Sequence, residues 1–202
     1  MSQPLNVWNG LRSGNQAFRP DTDGPSGSPH DGGPLAAVFR CSDADVASEI
    51  VLGQRWGSLL DVSTWGHVVD AGVLASLEHA VVSMGIPLIV VLGHHDCTAM
   101  HAAMRAWRNA EIPDGASRVA VEQALSSIVR YGCAAEGVDA IGAAHVVAVG
   151  MSLMERSPLI ARQVDAGKCG IVCAATDADG RLHTYGTAGA LGEAGGSLLE
   201  RV

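Results

Sequence analysis

Two short segments carry most of the chemistry open to this chain. Cys41-Ser42-Asp43 follows the apolar run Pro34–Phe39, and His94-His95-Asp96-Cys97 follows the apolar run Pro87–Leu92. The two cysteines are 56 positions apart. Two thiolates and one imidazole, with a carboxylate two residues beyond the first cysteine, suit zinc. A bound zinc ion lowers the pKa of a coordinated water to about 7 and so makes hydroxide available at neutral pH. Three protein ligands (Cys41, His94, Cys97) and an open fourth position form a catalytic site. Asp43 as a fourth ligand closes the site and makes it structural or latent. Spacing leaves both forms open.

The elements that must position these groups read as an alternation of strands and helices. Apolar runs at 35–40 and 87–92 are buried strands, and each ends at a metal-capable segment. A short strand is expected at 58–62, and two final strands at 170–176 and 181–186, joined by Asp177-Ala178-Asp179-Gly180. Helices are expected at 7–18 (with Asn6 as N-cap), 44–53, 68–83, 96–108, 118–130 and, with breaks, 139–165. This order predicts an α/β fold with a mainly parallel sheet. The carboxyl ends of parallel strands are where such sheets place their chemistry. Residues 19–34 are rich in Pro, Gly, Asp and Ser and read as an arm crossing a surface, such as that of a partner subunit. The chain is thus expected to be one domain, with an N-terminal helix and arm (1–34) and a zinc-binding α/β unit (35–202).

Bulk properties narrow the function. A net charge of −8 argues against a nucleic-acid partner, since phosphate binding needs clustered Lys and Arg. No uncharged apolar run approaches the length of a membrane span. The first residues lack a basic-then-apolar secretory pattern, so a cytoplasmic location is expected. Five cysteines (Cys41, Cys97, Cys133, Cys169, Cys173), odd in number and widely spread, favour metal ligands and buried thiols over disulfides.

With these residues in view, the sequence resembles the β-class carbonic anhydrases, and their bacterial branch in particular. That family carries Cys-x-Asp-x-Arg after one strand and His-x-x-Cys after a later one. The resemblance runs from Trp8–Phe18 to the last strand pair and is close over Val68–Cys97. It implies a small α/β domain that assembles into homodimers or homotetramers with active sites near the interface. It also implies zinc held by Cys41, His94 and Cys97, and reversible hydration of CO2 to bicarbonate by zinc-bound hydroxide. Asp43 is then the catalytic carboxylate that orients the hydroxide, or the fourth ligand that closes the site.

The departures from the family cluster around the metal. The Arg two residues after the Asp, which pairs with it and holds it off zinc, is Asp45 here. Ser63 stands where the family has another Arg, and Trp65 where it has a small residue. Gly32 replaces a substrate-contacting Gln, and Thr98 replaces the Gly after the second metal Cys. Without a cation, Asp43 is expected to turn to the metal. Weakened or altered CO2 hydration is therefore expected. The alternatives are a catalytically silent, zinc-stabilised member acting as scaffold or regulator, and a hydrolase of COS or CS2 whose pocket Trp65 makes more apolar. Arg40 is expected to point away from Asp43, because adjacent strand residues face opposite sides. His95 and His101 are suited to proton shuttling, although surface or cap positions are the plainer reading. His67 is expected near a subunit interface, and Asp96 as a helix cap. Cys169 and Cys173 should share one strand face, as core thiols rather than a second metal site. Met151, Met154 and Leu159 read as core or interface.

Overall fold

The computed structural model describes residues 3–17, 32–132 and 137–191. Phe18, residues 19–31 of the arm expected at 19–34, and Cys133 lie outside the described residues. Five strands form one sheet: β1 (Ala36–Cys41), β2 (Leu59–Thr64), β3 (Leu88–Gly93), β4 (Gly170–Thr176) and β5 (Leu182–Ala188). Their order is β2-β1-β3-β4-β5. All neighbours pair in parallel except β4 with β5, which is an antiparallel hairpin. The mainly parallel α/β sheet is as the sequence predicts.

The residue types explain the layering. β3 (LIVVLG) is buried at every position and lies at the centre, as a parallel strand covered on both faces must. β2 (LLDVST) alternates and forms an edge. One sheet face presents Ala37, Phe39, Ile89, Val91, Ile171 and Cys173. It is covered by α3 (Ala71–Glu78), by α6 (Val138–Arg156) and by α7 (Pro158–Asp165). The other face presents Val38, Leu88, Val90 and Val172 to Trp8 and Leu11 of α1 (Pro4–Gln16), and to Val51 of α2 (Ser48–Val51). Asn15 ties α1 in place: its side-chain N–H groups donate to Val51 and Gly180 carbonyls at 2.8 and 2.9 Å, and its oxygen accepts from the Leu182 N–H. A Cβ on Gly14 would lie 2.1 Å from the Leu52 carbonyl oxygen, so only glycine lets α1 approach the α2 turn this closely.

The helices differ in detail from expectation. α1 begins at Pro4 with Gln3 as N-cap, not at Val7 with Asn6, because a proline at the first helical position is pre-set for helix. The helix expected at 44–53 contracts to α2. The stretch 139–165 is two helices. Ser157 caps α7 by accepting the Ile160 N–H, and Pro158, which has no N–H, starts the new helix. The 68–83 helix is α3, capped by Asp70, followed by a π-helical turn at His79–Ser83. α4 (Thr98–Asn109) and α5 (Ser117–Tyr131) follow β3 as expected. The 19-residue α6 has the length and hydropathy of a membrane span. It is instead a core helix, with Ile141, Val146, Val147 and Leu153 buried against the sheet and its neighbours. Met151 joins this core and Met154 packs against it, but Leu159 is exposed at 37%.

Candidate metal centre

The strand order reverses between β1 and β3: β1 leads outward to β2, and β3 leads the other way to β4. Parallel sheets open a crevice at such a point, outside the carboxyl ends of the strands. Both chemical segments fall there. Cys41 is the last residue of β1, and His94 follows Gly93, the last residue of β3. Gly93 sits in close quarters: a Cβ there would stand 3.0 Å from Val146 and 3.1 Å from Ala175, so those side chains would have to give way. The 56-residue separation thus becomes contact between neighbouring strand ends.

The ligand atoms of Cys41, Asp43, His94 and Cys97 all lie within 4.8 Å of one another. The two sulfurs are 3.8 Å apart, and the Cys97 Sγ is 3.8 Å from Asp43 Oδ1. His94 Nδ1 faces the His95 carbonyl at 3.0 Å, so that nitrogen carries a proton and Nε2 points into the cluster, 2.9 Å from Asp43 Oδ1. A proton on Nε2 and a divalent cation are alternatives at that place. Two sulfurs, one imidazole nitrogen and one carboxylate oxygen, fixed from outside by backbone groups, fit a tetrahedral zinc-type ion. Among the described residues this is the only such cluster.

The electrostatics suit cation binding. The hydrogen bond from Cys97, reinforced by His94, outweighs burial and brings the Cys41 thiol down to about 6. Cys97 moves up, because its proton is shared with the Cys41 sulfur and its surroundings are buried. Burial acts to raise Asp43, but hydrogen bonds from Cys41 and Thr98, and the nearby His94, hold it well below the usual carboxylate range. Burial acts to lower His94, and its contacts with Cys41 and Asp43 reverse the shift. Metal binding here releases the remaining protons, a general property of thiol and imidazole sites.

Asp43 is anchored by Thr98, not by a cation. The Thr98 N–H donates to Asp43 Oδ2 at 2.9 Å, and the Thr98 hydroxyl donates to the same oxygen. Arg40 points elsewhere, as expected: it donates to the Ala44 carbonyl and lies 3.8 Å from Asp61. Trp65 does not line the cleft beside the cluster. It packs on the Met100 and Ala103 layer and donates its indole N–H to Thr98 Oγ1. The cleft, about 860 Å³, has Val46, Ile50, Val51 and Leu92 as apolar wall and Asp45, Asp96, Asp177 and Asp179 among its polar lining.

Asp96 is not the cap of α4; that position is Cys97, and Asp96 has a left-handed backbone (φ 54°). Its carboxylate pairs with His101 at 2.5 Å on the surface. His95 pairs with Asp139 at 2.7 Å, also exposed. Asp139 is a residue that sequence reasoning missed. Its other oxygen accepts the Asp96 N–H, so one carboxylate from α6 pins the whole metal loop. On sequence it reads only as an acidic residue in a helix's first turn. His67 is not at the surface: it is buried beside Phe39, bonded to the Leu92 carbonyl at 3.0 Å. His145, equally buried, was also missed. It holds the Gly66 carbonyl at 2.9 Å, while the Gly66 N–H donates to the Cys41 sulfur at 3.0 Å. Cys169 and Cys173 share the core on one sheet face, as expected.

Known proteins resemble this chain in sequence and in fold. The family profile described as carbonic anhydrase matches residues 36–182. A carbonic anhydrase of Mycolicibacterium smegmatis is 37% identical, over 95% of this chain and 98% of that protein. Carbonic anhydrase 2 of Mycobacterium tuberculosis is 36% identical, over 85% of this chain and 87% of its own length. Among solved structures, a Coccomyxa β-carbonic anhydrase superposes with a TM-score of 0.66 at 18% identity, covering 78% of this chain and 73% of that one. A tetrameric β-carbonic anhydrase of Sordaria macrospora gives 0.66 at 20% identity, over 75% of this chain and 80% of its own. In sequence and in fold, the chain belongs to the β-class carbonic anhydrase family.

Proposed function

We propose that this chain is a zinc-dependent carbonic anhydrase that interconverts CO2 plus water with bicarbonate plus a proton, at a rate lowered by the exchange of the family's Arg for Asp45. The observation that carries this reading is the convergence of four ligand atoms at the sheet's switch point. Zinc, when bound, acidifies a coordinated water and so supplies the nucleophile. Cys41, His94 and Cys97 hold the ion. Asp43, ionised throughout the neutral range, accepts a hydrogen bond through Oδ1 and so orients the attacking group. CO2, apolar and linear, rests on the wall of Val46, Ile50, Val51 and Leu92. The acidic lining attracts the released proton and opposes a resident bicarbonate. The protein acts as a cytoplasmic homo-oligomer, in keeping with the tetrameric Sordaria relative.

A second reading rests on proximity: a carboxylate oxygen of Asp43 lies within the same 4.8 Å as the other ligand atoms. If Asp43 takes the fourth position, the site is closed and the protein is a zinc-stabilised scaffold. The reading as a COS or CS2 hydrolase loses its support, because the indole of Trp65 is turned to Thr98.

Stopped-flow CO2 hydration, on protein verified to hold one zinc per chain and from neutral to alkaline pH, separates the two. Zinc-dependent turnover, raised further by Asp45→Arg, supports the enzyme. No turnover at any pH from fully loaded protein supports the closed site.

A further inference from the structure

We propose that Trp65 and Thr98 are positioning residues for Asp43, fixing with neutral donors the carboxylate that the family's Arg fixes with a cation. This rests on the metal-centre reading above.

The direction of the hydrogen bonds is forced by chemistry. An indole N–H can only donate. Trp65 Nε1 lies 2.9 Å from Thr98 Oγ1, so Thr98 accepts there. The single hydroxyl proton of Thr98 is then free for Asp43 Oδ2, its other partner. The Thr98 N–H reaches the same oxygen, at the positive end of the 12-residue α4. Oδ2 therefore carries two donors, and Oδ1 is the oxygen set against the imidazole, 2.9 Å from His94 Nε2, while both oxygens stand 3.8–3.9 Å from the Cys97 sulfur. Two donors from one residue thus set the position and rotation of the carboxylate, and turning it further toward a metal strains or breaks them.

The turn that carries the indole is held at three points. The turn Trp65–His67 contains left-handed Gly66 and His67, at φ 68° and 53°. The Gly66 N–H is on the Cys41 sulfur, His67 Nε2 is on the Leu92 carbonyl, and the Gly66 carbonyl accepts from His145. His145 is in turn fixed by Ser127 at 2.9 Å. Trp65 thus enters at a set angle, and Thr98 passes that constraint to Asp43. In this chain an aromatic and a threonine stand where the family has a small residue and a glycine, and the two substitutions touch each other and the carboxylate.

The test is cobalt(II)-loaded protein titrated with azide, using wild type, Trp65→Phe, Thr98→Val and Thr98→Ser. The near-ultraviolet thiolate-to-cobalt band reports that Cys41 and Cys97 hold the ion. The visible ligand-field bands report azide at the open position. Wild type and Thr98→Ser should bind azide alike. Thr98→Val and Trp65→Phe should retain the thiolate band but bind azide about tenfold more weakly, or less well still, the scale of one hydrogen bond to a charged group. Unchanged azide affinity in both of these variants overturns the proposal. So does a loaded wild type that binds no azide, since its carboxylate then already closes the position. A wild type without the thiolate band overturns the metal-centre reading itself, and the proposal with it.

Discussion

Two pairs of buried cysteines sit on this sheet, and they differ in everything but burial. Cys41 and Cys97 lie at the carboxyl ends of the central parallel strands, beside His94, Asp43 and the Gly66 N–H. Cys169 and Cys173 lie on and beside β4, in a layer of Ile89, Val91, Ile160 and Ile171. The first pair divides its protons unequally, with Cys41 brought down to about 6. In the second pair, burial drives Cys169 up to about 12. A thiol becomes a ligand through what faces it at a strand end, and removal from water alone makes it inert.

The largest effect should come from the first pair. Cys41→Ser is expected to weaken zinc binding by more than about a hundredfold, beyond the range seen for outer partners of metal sites. Cys169→Ala should leave zinc content unchanged. Competition with a chromophoric chelator measures both, and equal losses would erase the distinction. Next comes the amide that singles out Cys41. Gly66→Ala places a Cβ at φ 68°, 3.0 Å from Ala99 and Ala120. This should cost about 1–3 kcal/mol of stability, the scale of a strained left-handed residue, and should lower zinc affinity as well. Urea denaturation together with the chelator assay would show whether the turn serves both.

A third effect comes from the histidines that underlie the site. Burial, helped by His145, lowers His67 to about 3, and burial lowers His145 as well. Both are neutral when folded, so the unfolded chain takes up protons first as pH falls below about 6.5. Their contribution is present above that pH and is lost as pH falls, for His67 progressively down to about 3. Between pH 6.5 and 5, His67 alone should remove about 1.6 kcal/mol, as the slope rises toward about 1.4 kcal/mol per pH unit. Urea midpoints for wild type and His67→Asn at the two pH values test this; an identical pH slope in both would refute it. The smallest effect belongs to the inert pair. Cys169→Ala should destabilise by about 1 kcal/mol, an ordinary core change, with CO2 hydration untouched.

Much of this was legible in the sequence. Strand runs as apolar as Leu88–Leu92 have few alternatives to a central parallel strand, and Cys41, Asp43, His94 and Cys97 could be named from type and spacing. The loss of the Arg at Asp45 was equally plain. What replaces it was not: Thr98 read as a departure and Trp65 as a pocket wall, because a hydrogen bond across 33 residues leaves no local trace. Asp139 and His145 escaped notice for the same reason, since each looks like an ordinary helical residue until α6 is laid against the metal loop. The break before Pro158 was visible only as a helix with breaks.

By itself the sequence determined the strands, their order of chemistry and the residue types of the candidate metal cluster, because periodicity and residue type act locally. The tertiary structure decided which strands became neighbours. It decided that the sheet reverses between β1 and β3, and which partner holds each ligand. Those are choices made by packing and by long-range hydrogen bonds, whose energy depends on groups far apart in the chain meeting at a few ångströms.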